Sequence, residues 1–575
     1  MGLVSELRRR NVFRMAVLYV VAVWLIMQVA GVLMDLGVLP VAVGPWLMVV
    51  LVIGFPIALV FSWFYEITPE GISLEKDIDP EVSITHVTGR RLDFIVISLL
   101  CAAVILLAYD KWWTQAPPEN SIAVLPFTDM SPAGDQKYLS NGLAEEVLNL
   151  LANVQGLRVT SRTSSFSFEN KLVEIPEIAA TLNVAYVLEG SVRMSGDRIR
   201  VTAQLIETGN DVHVWSETFD RQLVDVFEMQ DEIAALVIDS LKIALVGEAP
   251  VSTPTDPEAF SMYLQARHLW RQGSAESIGS AYELLQQAIE IDPNYAPFWV
   301  ALSTVYTYQV DLGQISAEEG HALARKAALH GLEIDPNNAL ALSSLGWDAM
   351  MVRGDYHSAA THFNAARLIS PENPTLLGDT ATLAAILGRL EDAIELLETA
   401  IELDPIDSAK FTNLGAFYLA TNKLDEADVA FAKALELSPG DVWTLYAIVQ
   451  LRILQDRADD ALALIDNIEV EIIRLHTLPM IYHELGRSKE SDQAIEQLKA
   501  AEGSGITAYE IAEVYAYTGD SEEAFLWLER GINSGATMSF VRISPFLQAI
   551  SGNHRWQDIL TRLGLSDDQI LDIKL

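Results

Sequence analysis

The chain predicts an α plus α/β protein in three parts: three N-terminal transmembrane helices, a small α/β domain, and a C-terminal α-solenoid of helical repeats. Three observations carry this expectation. Residues 15–34, 47–65 and 92–110 are apolar runs close to the roughly 20 helical residues that a bilayer core of about 30 Å requires. Residues 117–247 alternate strand-like and helix-like patterns. From residue 258 onward, small residues and prolines recur with a period near 34.

Composition narrows the function. The 575 residues carry 78 Asp and Glu against 38 Lys and Arg, a net charge of −40, with a mean hydropathy of +0.23. A surface of that sign opposes nucleic-acid binding, because phosphate neutralisation needs a basic face. A single cysteine, Cys101, excludes a disulfide framework and a cysteine-based zinc site.

Each apolar run has its own flanks. The first is interrupted only by Gln28, the second contains Gly54 and Pro56, and the apolar part of the third is 94–109, bounded by Asp93 and Asp110 and reaching span length only by borrowing Leu92 or the Trp112-Trp113 pair. The first is too long for the h-region of a cleaved signal peptide. Glu6, where a hydroxyl residue is needed, breaks the myristoylation pattern. Basic residues beside the runs set the expected orientation. Arg8, Arg9, Arg10 and Arg14 precede the first run, and Arg90 and Arg91 lie between the second and third. This distribution predicts an integral protein of a bacterial inner membrane, its N-terminus inside and everything after about residue 113 in the periplasm.

Pro117-Pro118 forms a stiff spacer into the α/β domain. The patterns predict strands at 121–127 and 157–162 and helices at 140–153 and 175–182. Strands at 185–193, 199–207 and 213–219 follow, then a helix at 224–245. Ser195-Gly196-Asp197 is a hairpin signal, and Pro176 suits a helical first turn. The segments SIAVLPFTDMSP (121–132), YLSNGLAEEVLNLLA (138–152), VTSRTSSFSF (159–168), YVLEGSVRMSGDRIRVTAQLIE (186–207) and HVWSETFDR (213–221) resemble the amino-terminal domain of TolB. With the repeats, nearly the whole chain resembles bacterial TolB-like membrane proteins with tetratricopeptide repeats. It is also similar to the exported halves of some CadC-type regulators and cyclase-linked repeat proteins. Those relatives' outputs do not carry over, since the sequence shows neither a winged-helix DNA-binding domain nor a nucleotide-cyclase domain.

Residues 258–575 hold the repeats and a terminal cap. Pro293, Pro336, Pro371, Pro405 and Pro439 recur as helix stops, and Ala281, Ala324, Ala359, Ala393 and Ala427 precede them. The clearest copy places Phe411, Leu414, Gly415, Tyr418, Ala427, Phe431, Ala434 and Pro439 at tetratricopeptide spacing. Gly415 and Ala427 are expected to let two helices approach closely while Tyr418 and Phe431 fill the groove. About eight units fit in the available length.

Chemical motifs are absent: the chain has no phosphate loop, HExxH, nucleophile elbow or EF-hand loop. No catalytic residue, metal ligand or cofactor is therefore assigned, and no enzyme activity is expected. Adjacent carboxylates such as Glu145-Glu146 diverge on a helix and read as solvated faces. Trp270, Trp299, Trp347 and Trp443 read as core. One polar stretch, 160–167, is a candidate ligand lining through Ser161, Thr163, Ser164 and Ser165; the alternative is a loop satisfying its own backbone. The resulting expectation is a membrane-anchored scaffold that binds a protein or peptide through a neutral or basic segment. The alternative is a sensor that relays ligand binding through its spans.

Overall fold

The computed structural model describes residues 117–575 apart from 155, 210–211, 242–250, 467 and 504–506. Before residue 117 it describes 16, 19–20, 23, 26–27, 47–48, 51, 54–55, 65–68 and 71–74. The chain divides into two units, Met1–Ala116 and Pro117–Leu575.

In the first unit, strands β1 (Tyr65–Thr68) and β2 (Gly71–Leu74) pair antiparallel, Tyr65 opposite Leu74. Tyr19 Oη donates to the Leu51 carbonyl at 2.7 Å. The expected three-helix membrane domain is not found. Among the described residues no helix is long and apolar enough to cross a membrane. An apolar run is necessary for a span but not sufficient, since about 20 continuous helical residues are also required. The assignment of an integral inner-membrane protein with a periplasmic body after residue 113 falls with it. Most of the runs 15–34, 47–65 and 92–110 lies outside the described residues. So do Arg8, Arg9, Arg10, Arg14, Arg90 and Arg91, on which the orientation rested.

The second unit opens with a mixed sheet. Its strands are β3 (Ser121–Val124), β4 (Thr128–Asp129), β5 (Arg158–Val159), β6 (Tyr186–Ser195), β7 (Arg198–Glu207) and β8 (Val212–Gln222). The order is β5-β3-β6-β7-β8, with β4 pairing β6. Strand β3 runs parallel to both neighbours, whereas β6, β7 and β8 form an antiparallel meander. Ser195 faces Arg198, leaving the two-residue loop Gly196-Asp197, and Gly196 sits at φ 64°, the region glycine enters without a Cβ penalty. The parallel strands need crossovers. These are the helices α1 (Lys137–Ala152), α2 (Arg162–Phe166) and α3 (Ile175–Leu182). Helix α4 (Val226–Ser240) follows β8.

Sixteen helices then pair off from residue 257 to 533: α5 (Pro257–Trp270), α6 (Ala275–Ile291), α7 (Ala296–Asp311), α8 (Ala317–Ile334), α9 (Ala339–Trp347), α10 (Tyr356–Ile369), α11 (Pro374–Ile386), α12 (Leu390–Leu403), α13 (Ser408–Ala420), α14 (Leu424–Leu437), α15 (Val442–Leu454), α16 (Ala458–Ile465), α17 (Glu471–Glu484), α18 (Ser488–Ala500), α19 (Ala508–Thr518) and α20 (Ser521–Asn533). Local sequence starts many of them. Asp256 accepts from the backbone of Glu258 and Ala259, and Asn373 from Thr375 and Leu376, ahead of Pro257 and Pro374 in the first turn. First helices of successive repeats pack on one another as well as on their own partners, so they form the inner wall.

Close approach within a repeat needs a small residue facing a large one. A Cβ on Gly415 would collide with the Phe431 ring, and one on Gly346 with Phe363. Ala281, Ala359, Ala393, Ala427 and Ala434 are fully buried, as is Phe431, and Ala324 and Leu414 are nearly so. Phe411 and Tyr418 are half-buried, the latter donating to Glu398 at 2.9 Å, and Pro439 is exposed in the turn after α14.

Two features were not anticipated. The sheet domain and the first repeats share one hydrophobic core, in which Phe227 of α4 meets Phe260 of α5 at 4.7 Å between ring centroids. The segment after α20, including α21 (His554–Arg562) and α22 (Asp567–Ile570), spans from the last repeats back to the third and fourth. Phe546 packs edge-on against Tyr517 at 5.5 Å, Ser544 Oγ donates to Glu513 at 2.5 Å, and Asn364 Nδ2 and Arg389 Nη2 donate to the carbonyls of Lys574 and Ile570.

Gly415→Ala and Gly346→Ala are each expected to lower stability by about 1–3 kcal/mol through overpacking. Hydrogen exchange should place the loss in the affected repeat and its neighbours, leaving β6 and β7 protected.

Candidate functional site

The described structure holds a pocket of about 360 Å³ where α1 and α2 meet the first repeat helix, α5. Helix α1 supplies Lys137, Tyr138 and Asn141, α2 supplies Arg162, Thr163 and Phe166, and α5 supplies Arg267 and His268. Arg271, the residue that caps α5, completes the rim. The helices come close because Gly142 has no side chain; a Cβ there would stand 2.7 Å from Leu264 Cδ2.

The pocket's chemistry is set by an ion cluster. Glu145 accepts from Arg162 Nε at 2.8 Å and from Arg271 Nη2 at 2.6 Å, and it also pairs with Arg267. Arg267 bonds Glu146 and Tyr263 Oη as well, and is 4% exposed. Burial pushes the Glu145 carboxyl up, but Arg267, Arg271 and Arg162 outweigh it and hold it at about 2. Burial, aided by the like-charged Glu145, raises Glu146 against the pull of Arg267 and Arg271. The adjacent carboxylates, read from sequence as diverging solvated faces, instead grip one guanidinium between them. Their partner lies 121 residues away, out of reach of any local pattern.

The four polar residues singled out from sequence have different fates. Thr163 lines the pocket. Ser161 caps α2, accepting from Ser164 N at 3.2 Å. Ser164 turns away and donates to the buried Asp404 in the turn after α12. Ser165 is buried, its Oγ without a partner among the described residues. This face of the sheet domain thus touches the array a second time, where Arg158 also bonds the Glu402 carbonyl and Asn153 accepts from Ser370 Oγ at 3.1 Å.

A second polar line runs along the first helices. Asp379 of α11 is buried and accepts from Ser343 Oγ of α9 at 2.5 Å. Burial lifts its carboxyl to about 6 against the pull of Ser343, Trp347 and Lys410. Further along, Tyr446 Oη and His476 Nδ1 stand 2.6 Å apart, and His476 Nε2 lies 3.2 Å from Glu513. Among the tryptophans, Trp270 is buried and Trp299 half-buried. Trp347 and Trp443, expected in the core, are 37% and 66% exposed. They sit on first helices where the repeat pattern alone does not separate inner wall from core. Among the described residues no group of three or more His, Cys, Asp or Glu is arranged to hold a metal.

Comparison with known proteins bears on both regions. Residues 118–236 match the family model of the HilA/YgeH-like transcriptional regulator, second domain. These findings do not show the TolB resemblance. Residues 381–407 and 411–441 match the tetratricopeptide repeat. The C-terminal region therefore carries tetratricopeptide repeats. A Rhizobium meliloti (strain 1021) protein named "Putative adenylate cyclase 3" is 37% identical over 195 residues, 33% of either chain. The Salmonella typhimurium (strain LT2) "Transcriptional regulator HilA" is 24% identical over 242 residues, 40% of this chain and 43% of the regulator. The chain thus spans between a third and a half of these relatives' lengths. A tetratricopeptide repeat protein from Parabacteroides merdae is 18% identical, covering 42% of this chain and 98% of its own, with a TM-score of 0.33.

Two pH responses of opposite sign follow. Glu145 is held below its ordinary 4.5, so its stabilisation is complete above that value and is lost as pH falls toward about 2. Glu145→Gln leaves the buried Arg267 with Glu146 alone and removes the partner of Arg162 and Arg271, and is expected to cost about 3 kcal/mol at neutral pH in urea titrations. Asp379 is raised from 3.8 to about 6, so the native chain binds its proton more tightly and stability declines as pH rises through that interval. Asp379→Asn, which keeps the acceptor for Ser343, is expected to gain up to about 2–3 kcal/mol at pH 7 and nothing below about pH 4.

Proposed function

We propose that this protein is a non-catalytic interaction scaffold whose tetratricopeptide array binds a protein or peptide through a neutral or basic segment. The observation that carries the reading is the exposure of large aromatics on first helices: Tyr308 on α7 at 38%, Trp347 on α9 and Trp443 on α15. Exposed tryptophan and tyrosine on a rigid wall are the residue types that dominate binding energy at interfaces, because they bury much apolar area at little entropic cost. Repeat arrays present extended concave surfaces of this kind.

Charge selects the partner. Residues 248–575 carry 49 acidic and 21 basic side chains, net −28. Such a field repels nucleic acid and acidic peptides and accelerates encounter with a basic segment. The competing account of the acidity is solubility in a saline medium, and it makes the opposite statement about salt.

Trp443→Ala is expected to weaken partner capture by about tenfold or more while leaving the melting temperature unchanged, as befits a residue two-thirds exposed. The association rate of a captured partner should fall severalfold between about 0.1 M and 1 M salt, as the Debye length shrinks from about 10 Å to about 3 Å. A rate flat across that range assigns the acidity to solubility and removes charge steering from the proposal.

A further inference from the structure

We propose that the pocket between α1, α2 and α5 is a binding site for a small organic carboxylate that also carries a hydrogen-bond donor, such as a hydroxy- or amino-carboxylate. This inference is independent of the scaffold reading, since it concerns the domain junction rather than the inner wall of the array.

Size and polarity fit a small ligand. The volume of about 360 Å³ lies within the about 300–1,000 Å³ typical of small-molecule sites. In a chain of net charge −40, the pocket is lined by four cationic side chains, Lys137, Arg162, Arg267 and Arg271, against two carboxylates, Glu145 and Glu169. An acidic protein that concentrates guanidinium groups at one concave site departs from its own surface chemistry there.

The unused donors define the acidic end of the ligand. Arg162 spends its Nε on Glu145 and Arg271 its Nη2, and their other N–H groups have no hydrogen-bond partner among the described residues. Both side chains are about a third exposed, at 27% and 32%, so these groups are within reach from the pocket. The planar guanidinium fork matches a carboxylate in geometry as well as charge. The cations also crowd one another. Burial, then Lys137 and Arg271, push His268 down, and burial with Arg271 and Arg267 pushes Arg162 down even beside Glu145. An anion entering the pocket relieves both.

The other end of the ligand is defined by an orphan acceptor. Asn141 lines the pocket, is 9% exposed, and donates from Nδ2 to Glu169 Oε1 at 2.8 Å. That bond fixes the amide orientation and leaves Oδ1 buried with no partner among the described residues. A buried carbonyl without a donor is destabilising, and a ligand hydroxyl or ammonium group removes that cost. Glu169 beside it favours a hydroxyl or ammonium donor at that end, so succinate, which matches malate in its two carboxylates but carries no donor, fits less well than malate or glutamate, and so does inorganic phosphate, whose oxygens share its negative charge. Tyr138 and Phe166 supply the apolar sides.

The test uses the full chain, with calorimetry and thermal melts against L-malate, L-glutamate, succinate, inorganic phosphate and sodium chloride at matched ionic strength. Malate or glutamate is expected to bind saturably, with succinate and phosphate weaker by about tenfold or more, the loss that follows when a site's polar group goes unpaired. Asn141→Leu should abolish the preference over succinate. Thr163→Trp, at an exposed position on the pocket wall, should block binding without disturbing the ion cluster, and Arg271→Gln should weaken it. Equal melting shifts from every salt, no saturable binding by either donor-bearing acid, or preference for phosphate would each overturn the assignment. Binding that survives Thr163→Trp but not Arg271→Gln would overturn its location. Partner capture by the array is measured separately and does not enter this outcome.

Discussion

Arg267 is the residue on which the placement of the array depends. It projects from the first repeat helix into the sheet domain, is almost fully buried, and meets Glu145 and Glu146 on α1. A buried ion pair adds little net stability over an apolar equivalent, but removing one partner leaves an uncompensated charge, which is severe. The cluster thus specifies how α5 docks more than how strongly. The apolar contacts around it supply the strength: Phe227 against Phe260, Leu264 against the gap at Gly142, and Tyr263 tilted against Phe298. Because α5 is simultaneously the first helix of the solenoid, its docking angle sets the direction in which every later repeat grows.

Within the array the governing constraint is different. In the third and fifth repeats a glycine on the first helix faces a ring on the second, Gly346 with Phe363 and Gly415 with Phe431, so the two helices approach closely at that level. The third repeat departs from this regularity in a π-helical turn, Asp348–Val352. Such turns free backbone carbonyls from the usual ladder. Here the carbonyls of Met350 and Met351 accept from Ser539 and Thr537. The irregularity is therefore the docking point of the C-terminal segment, which ties the eighth repeat to the third.

Legibility in the sequence followed the range of the interaction. The hairpin at Gly196-Asp197 and the caps at Asp256 and Asn373 are local, and their turn and capping residues announce them. The Gly415–Phe431 interlock is nearly local and repeats, so its period exposes it. The junction pocket was legible only through Thr163, because its decisive contacts join residues 17 and 121–126 positions apart and no repetition marks them. The N-terminal expectation failed for another reason. Apolar composition alone does not establish a span, and among the described residues no helix is long and apolar enough to cross a membrane. Trp443 was misjudged because its helix is apolar on more than one side, and hydrophobic periodicity does not then distinguish the buried face from the inner wall.

The same short helix serves both halves of the molecule. On one side α2 presents Arg162, Thr163 and Phe166 to the pocket; on the other it sends Ser164 to Asp404, a fully buried carboxylate that is also paired with Lys410 at 3.2 Å. Lys410 opens the fifth repeat's first helix, and it carries the charge felt by Asp379 in the fourth. Three links, each a direct contact or a charge interaction, thus connect the pocket to the inner wall between α11 and α13. Such a chain transmits a signal only if one of its members has two arrangements whose balance both ends bias. With five residues, α2 is the member least held by its own backbone ladder, since a helix this short has few internal hydrogen bonds and depends on its side-chain contacts for its position. The pocket wall and the packing of the fourth and fifth repeats therefore meet at α2, with Arg162 bonded to Glu145 and Ser164 to Asp404.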